Sequence, residues 1–469
     1  MAFYRIKFVL YYILLLSTSR RWPLFDSYIV LIAASLIIVL SYFFDVASKK
    51  FKIPSVLFLI TTGLILKYAG EVYGFTFQEE FFSVLELLGI VGLIMIVLEA
   101  AVDLKISKKK IPVIRQSFAL ALFILIATSF GIAGVIFYIL DNEPFFHCLV
   151  YAIPLSVVSS AVLIPSVHTL TKSKKEFLIY ESTFSDIIGI LFFNFVVIQE
   201  GSILSLSGIM MIVFTVLFSI VVSYVLVFVF SKIKTHIKLF LMIAVLALLY
   251  ALGKQLHLSS LLMIFIFGIV MNNAKIFYRA KLANHINFDN VKSIGAEFRI
   301  VTAETAFVIR TFFFITFGMS IDLTLLADPR VLVIGFIILV ILYLVRYVNF
   351  KVFLKTNVFP EIFLAPRGLI TILLFFSIPT AYQIIGLSEG ILFFVILGTS
   401  LIMMVAIMSS KDSEMESTTF FDVGLGQASD YEIEYETFSE FDDLLDDVSG
   451  INKKALENKD NTNEKKGDS

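Results

Sequence analysis

Apolar runs long enough to cross a lipid bilayer recur along almost the whole chain, and no other feature limits its fold so strongly. A spanning helix needs roughly 20 mostly apolar residues. Thirteen such stretches are predicted, centred on 26–45, 54–70, 81–103, 113–140, 145–171, 177–199, 203–231, 237–253, 258–273, 302–321, 331–350, 360–383 and 388–408. The runs are continuous rather than alternating, which argues for helices and against an outer-membrane barrel. With 59% hydrophobic and only 16% charged residues, the chain cannot be a soluble enzyme, a disordered protein or a disulfide scaffold. Its one cysteine, Cys148, leaves no intrachain disulfide to form.

The loops fix the orientation. Linkers after odd-numbered stretches hold twenty Lys and Arg residues, among them Lys49, Lys108, Lys174, Lys234, Lys281 and Lys351. The alternate linkers hold three: Lys67, Lys254 and Arg330. The positive-inside rule then puts the N-terminus outside and the C-terminus in the cytoplasm of a plasma or inner membrane. Residues 1–25 read as a short interfacial helix, in preference to an extra span or a signal peptide. Residues 409–469 carry seventeen acids against six lysines, a formal charge of −11, and read as a disordered, solvated cytoplasmic tail. Residues 26–408 form the membrane domain.

Within that domain the chain repeats itself. GLIMIVLEAAVDL at 92–104 and FFFITFGMSIDL at 312–323 align at an offset of 219, with Asp103-Leu104 on Asp322-Leu323. Two stretches further on, each copy carries helix-breaking residues: Pro154 and Pro165 around Ser156, Ser159 and Ser160, then Pro366, Arg367, Gly368 and Pro379. Proline removes a backbone donor from a helix interior. Seven spans separate the copies, an odd number, so the second runs inverted in the membrane. The expected fold is therefore all-α and polytopic, with inverted repeats over about 81–199 and 302–408 and two interrupted crossing helices. That is a transporter architecture, with the substrate site near the midplane where the breaks lie.

Charge inside a bilayer costs about 3 kcal/mol or more, so each such residue is a functional candidate. The densest group is Tyr180-Glu181-Ser182-Thr183-Phe184-Ser185-Asp186. Glu181 and Asp186 are about 140° apart around a helix and need not share a role. Asp186 lies deeper. With Ser182 and backbone opened near Ser159, it offers the oxygen ligands that a hard monovalent cation requires. Partly desolvated, the same carboxyl holds a proton when the cation is absent. Glu99, one turn before Asp103, can approach this site or sit as a buried carboxyl. Arg346 either snorkels to the cytoplasm or pairs with an acid such as Glu181. Glu86, Glu304 and Arg310 are expected in pairs or at interfaces.

These residues resemble the monovalent cation:proton antiporters, the sodium/proton exchanger superfamily. YESTFSDIIG is similar to that family's ESxxND signature, APRGLITILL to its RG segment in the second crossing helix, LVRYVNF to its arginine helix, and LEAAVDL to its EGxxL segment. The resemblance covers about spans three to thirteen. It implies that Asp186 is the shared carboxylate for cation and proton, that Ser182 is a cation ligand, and that Glu181 and Arg346 form a stabilising ion pair. Ser159 and Ser160 fall where the family has Thr-Asp. It also implies a homodimer that serves pH homeostasis.

The sequence departs from the pattern at two positions: Ser185 replaces the Asn before the key Asp, and Ser160 replaces the Asp at the first break. One titrating carboxylate favours electroneutral exchange of Na+ or K+ for H+ by alternating access. No Walker-type glycine loop is present, so no nucleotide is expected, nor any other cofactor or a nucleic-acid partner. The rival expectations are a cation channel, an organic-anion or solute symporter reading its substrate with Arg367-Gly368, and a membrane sensor acting through the tail.

Overall fold

The computed structural model describes residues 27–72, 91–102, 104, 106, 110–140, 143–167, 170–198, 206–232, 238–255, 258, 260–278, 288–354, 359–384 and 387–409. The N-terminal segment, the acidic tail, Glu86 and Asp103 lie outside them. All regular structure among the described residues is helical. Without water to satisfy N–H and C=O groups, a spanning segment must bond to itself, and a helix does this within one run.

Apart from the single turn Ala274–Phe277, the α-helices among the described residues are α1 (Ser27–Phe51), α2 (Ser55–Val72), α3 (Val91–Val102), α4 (Ile111–Ile139), α5 (Phe145–Ser156), α6 (Ser160–Leu163), α7 (Lys172–Ile198), α8 (Leu206–Lys232), α9 (Lys238–Gln255), α10 (Ser260–Asn272), α11 (Phe288–Ser320), α12 (Pro329–Leu354), α13 (Leu369–Phe376) and α14 (Glu389–Ser409). Among the described residues, eight segments are long and apolar enough to cross a membrane, and four shorter apolar helical segments accompany them.

One predicted boundary is corrected, and the two stretches expected to be interrupted are broken as follows. The stretch predicted at 302–321 begins at Phe288 and runs for 33 residues. Asp289, Lys292, Glu297 and Arg299 depress the apolar signal of its first turns without stopping the helix. The stretch at 145–171 is helical to Ser156, extended over 157–159, and resumes as α6 and a 3-10 turn, Ile164–Ser166. The break follows Pro154, which remains inside α5. The stretch at 360–383 holds only α13 as α-helix, between 3-10 turns Glu361–Phe363 and Thr380–Tyr382.

Packing sets these broken segments at the centre. Every residue from 148 to 163 is buried. On α1, α8 and α12, by contrast, Leu36, Tyr42, Phe214, Val221, Phe336 and Leu344 are exposed, as lipid-facing side chains are. Helices α2 and α11 approach so closely that a Cβ on Gly63 would strike the Ile315 carbonyl, and one on Gly318 the Ile60 carbonyl. Small residues permit such crossings where lipid supplies no hydrophobic drive between helices. Lys67 Nζ then caps α11 by donating to the Ile321 carbonyl at 2.6 Å.

Candidate functional site

The two interruptions meet, and each supplies what the other lacks. In an unbroken helix the N–H groups of Ser159 and Ser160 would donate to the carbonyls of Leu155 and Ser156. Here Ser159 N–H donates to the Pro366 carbonyl at 2.9 Å. Ser160 N–H donates to Asp186 Oδ2 at 3.0 Å. The two abandoned carbonyls are taken by Arg367: Nε donates to Leu155 O at 2.9 Å and Nη2 to Ser156 O at 3.2 Å. Nη1 of the same guanidinium bonds the Ala365 carbonyl. Arg367 N–H donates to Thr399 Oγ1 at 3.1 Å, tying the second break to α14. A buried polar backbone group without a partner costs about as much as a lost hydrogen bond, so Arg367 keeps both breaks affordable inside a bilayer. Gly368 is needed for the contact, because a Cβ there would meet Ser159 Oγ and Val162.

Asp186, on α7, is almost wholly buried, at 3% exposure. Its Oδ2 accepts both the N–H and the hydroxyl of Ser160. Its Oδ1 is buried and accepts no hydrogen bond, and the Ser159 and Thr371 hydroxyl oxygens are likewise buried without a hydrogen-bond partner. Ser185 accepts the Val158 N–H at 2.9 Å, pinning α7 to the extended backbone. Gly189 lets Val157 lie directly on α7, where a Cβ would collide with it. Ser182, expected beside Asp186, instead turns its hydroxyl to the Ile179 carbonyl of its own helix at 3.2 Å. The Glu99 carboxylate lies 3.6 Å from Arg310.

Glu181 and Arg346 are both fully enclosed. Nη1 and Nη2 donate to Oε1 and Oε2 at 2.7 and 3.0 Å, a fork-on-fork geometry. Of the two placements open to Arg346, the structure adopts the ion pair. The guanidinium also reaches the carbonyls of Glu361 and Leu364 at 3.3 Å and lies 4.5 Å over the Phe350 ring. Glu361 carries a further pair, with Lys174 at 2.6 Å. Neither partner stands out in the sequence as a member of a pair. Lys174 counted only as a loop charge, although Glu361, an acid inside the predicted stretch 360–383, was a usable signal.

A hard cation of single charge takes carboxylate, hydroxyl and carbonyl oxygens. Asp186 Oδ1 and the Ser159 and Thr371 hydroxyls are oxygens of that chemistry and are buried without a hydrogen-bond partner. Among the described residues no three of His, Cys, Asp and Glu gather as a multivalent metal site would require.

Comparison with known proteins extends this picture. A family model described as sodium/hydrogen exchanger, transmembrane, matches residues 33–410. No curated protein sequence matches the chain. Two structures of the sodium proton antiporter MjNhaP1 from Methanocaldococcus jannaschii share the fold. One, at pH 8, is 19% identical with a TM-score of 0.58, over 82% of this chain and 99% of that chain. The other, from electron microscopy, is 18% identical with a TM-score of 0.60, over 82% and 95%.

Proposed function

The chain belongs to the transmembrane sodium/hydrogen exchanger family, and from that premise we propose that it exchanges one monovalent cation, Na+ or K+, for one proton at Asp186. The observation that carries the proposal is the divided state of that carboxylate. One oxygen is held by Ser160 at a helix break, and the other is buried with no hydrogen-bond partner.

A buried carboxylate is costly unless something neutralises it. A proton on Oδ1 does so, and so does a cation. The two therefore compete for one site, and each arrival expels the other. Ser160 keeps Oδ2 in a fixed direction during the exchange. Ser159 and Thr371 offer hydroxyl oxygens to the cation, and Ser182 becomes available if its hydroxyl leaves Ile179. Coupling requires that Asp186 face one side at a time, and the unwound backbone at both breaks lets the site change exposure without unfolding whole helices.

The charge count favours electroneutral exchange. Serines occupy positions 160 and 185, and Glu99 stands beside Arg310, leaving Asp186 as the one carboxyl at the break to titrate. The Glu181–Arg346 pair neutralises itself and serves as a structural post. The loop charges support a plasma or inner membrane location with the acidic tail in the cytoplasm, and the family supports a homodimer acting in pH homeostasis. The test is a pH-gradient dequenching assay in proteoliposomes with Na+, K+ and Li+ added in turn. Cation-dependent recovery with Na+ or K+ supports the proposal; none with any cation refutes it.

A further inference from the structure

Helix α6 is one turn long, and a single turn does not hold its own register, because helix nucleation is unfavourable. Its second carbonyl has a particular difficulty. In a continuing helix Ala161 O would accept the N–H of residue 165, but residue 165 is proline and has none. The missing donor comes from α11, where Arg310 Nη1 donates to Ala161 O at 2.9 Å. Nη2 of the same side chain lies 3.6 Å from Glu99 of α3. The neighbour of Ala161 is Ser160, which gives both its N–H and its hydroxyl to Asp186.

We propose that Arg310 is a positioning residue for the Asp186 site: it occupies the carbonyl that Pro165 leaves bare and so fixes α6 where Ser160 can hold Asp186. Glu99 seats the guanidinium and offsets its charge. This inference rests on Asp186 being the exchanging carboxylate, and it assigns Glu99 to Arg310 rather than to the cation.

The test is exchange rate against Na+ or K+ concentration, at fixed pH, for the full chain in proteoliposomes. The forms compared are wild type, R310Q, R310K, P165A/R310Q and D186N. R310Q is expected to raise the cation KM about tenfold, with kcat changed by no more than about twofold, the scale of one hydrogen bond to a charged group. R310K keeps a charged donor of similar reach, whereas the Gln amide is shorter and neutral, so R310K stays near wild type. P165A returns an N–H to position 165, so P165A/R310Q recovers most of the lost affinity. An R310Q with wild-type KM, or a double variant as impaired as R310Q, overturns the proposal. If R310Q does not fold, a folded and active double variant supports the proposal, and a double variant that also fails to fold overturns it. D186N separates the two claims. If D186N is silent and R310Q keeps wild-type KM, the Arg310 assignment alone fails; if D186N still exchanges, the site reading falls and this inference with it.

Discussion

Arg346 and Glu181, 165 residues apart, meet through two charge-assisted hydrogen bonds of 2.7 and 3.0 Å with almost no solvent on either side. The pair joins α12 to α7. The Glu361 and Leu364 carbonyls add to it, so the guanidinium also anchors the chain entering the second break.

Removing one member of a buried pair strands the other charge, at a cost of about 3–5 kcal/mol. Glu181→Gln and Arg346→Ala should therefore each lower the thermal unfolding temperature more than Asp186→Asn does. The double variant should be no less stable than the worse single one. Fully additive losses in a thermal melt of the purified protein would count against the coupling.

Ser160→Ala removes the hydroxyl donor to Asp186 and leaves the N–H in place. The ionised carboxyl loses one hydrogen bond to a charged group, about 1.5–3 kcal/mol. A proton then competes better against the cation. The apparent cation KM at fixed pH should rise about tenfold, with the fold intact by thermal melt. An unchanged KM would remove Ser160 from the site.

The α2–α11 crossing makes a stability prediction independent of transport. Gly318→Ala places a methyl against the Ile60 carbonyl, whereas a Cβ at Gly134 meets nothing within 4 Å. Overpacking of this kind costs about 1–3 kcal/mol. Thermal melts should show Gly318→Ala destabilised and Gly134→Ala close to wild type; equal behaviour would mean that the crossing is looser than described.

The proposed one-for-one exchange at Asp186 carries no net charge. An imposed membrane potential should leave the rate unchanged, and transport should give no current on a supported membrane. A sustained current that reverses with potential would require a second group to titrate. Glu99 would then have to leave Arg310 during the cycle.

The membrane fold was legible because its cause is local. Twenty apolar residues in a row leave the backbone no option but to bond to itself, and the prolines and Gly368 mark where it does not. Asp186, Glu181 and Arg346 stood out for the same reason, as charges in apolar runs. Which atom each group takes was not legible. Ser182 and Ser160 are equally plausible donors to Asp186 by residue type, and only the path of residues 157–159 brings Ser160 onto Oδ2 and leaves Ser182 bonded to its own helix. For Arg310 the sequence announces no more than a pair or an interface position, because its bond to the Ala161 carbonyl follows from a proline 145 residues earlier, which removes the N–H that would otherwise reach it. Glu361 and Lys174 meet through the 3-10 turn before the second break, a geometry that no periodicity announces. Long helices also continue past the hydrocarbon edge, so α11 begins well before its apolar run.

The central claim is that proton and cation share Asp186. The measurement is cation-driven proton movement by purified Asp186→Asn in proteoliposomes, beside wild type and with folding checked by thermal melt. Asparagine keeps the volume and removes the titratable oxygen. The account predicts a folded protein that gives no pH change on addition of Na+ or K+. Coupled proton movement by that variant at a rate near wild type would contradict it.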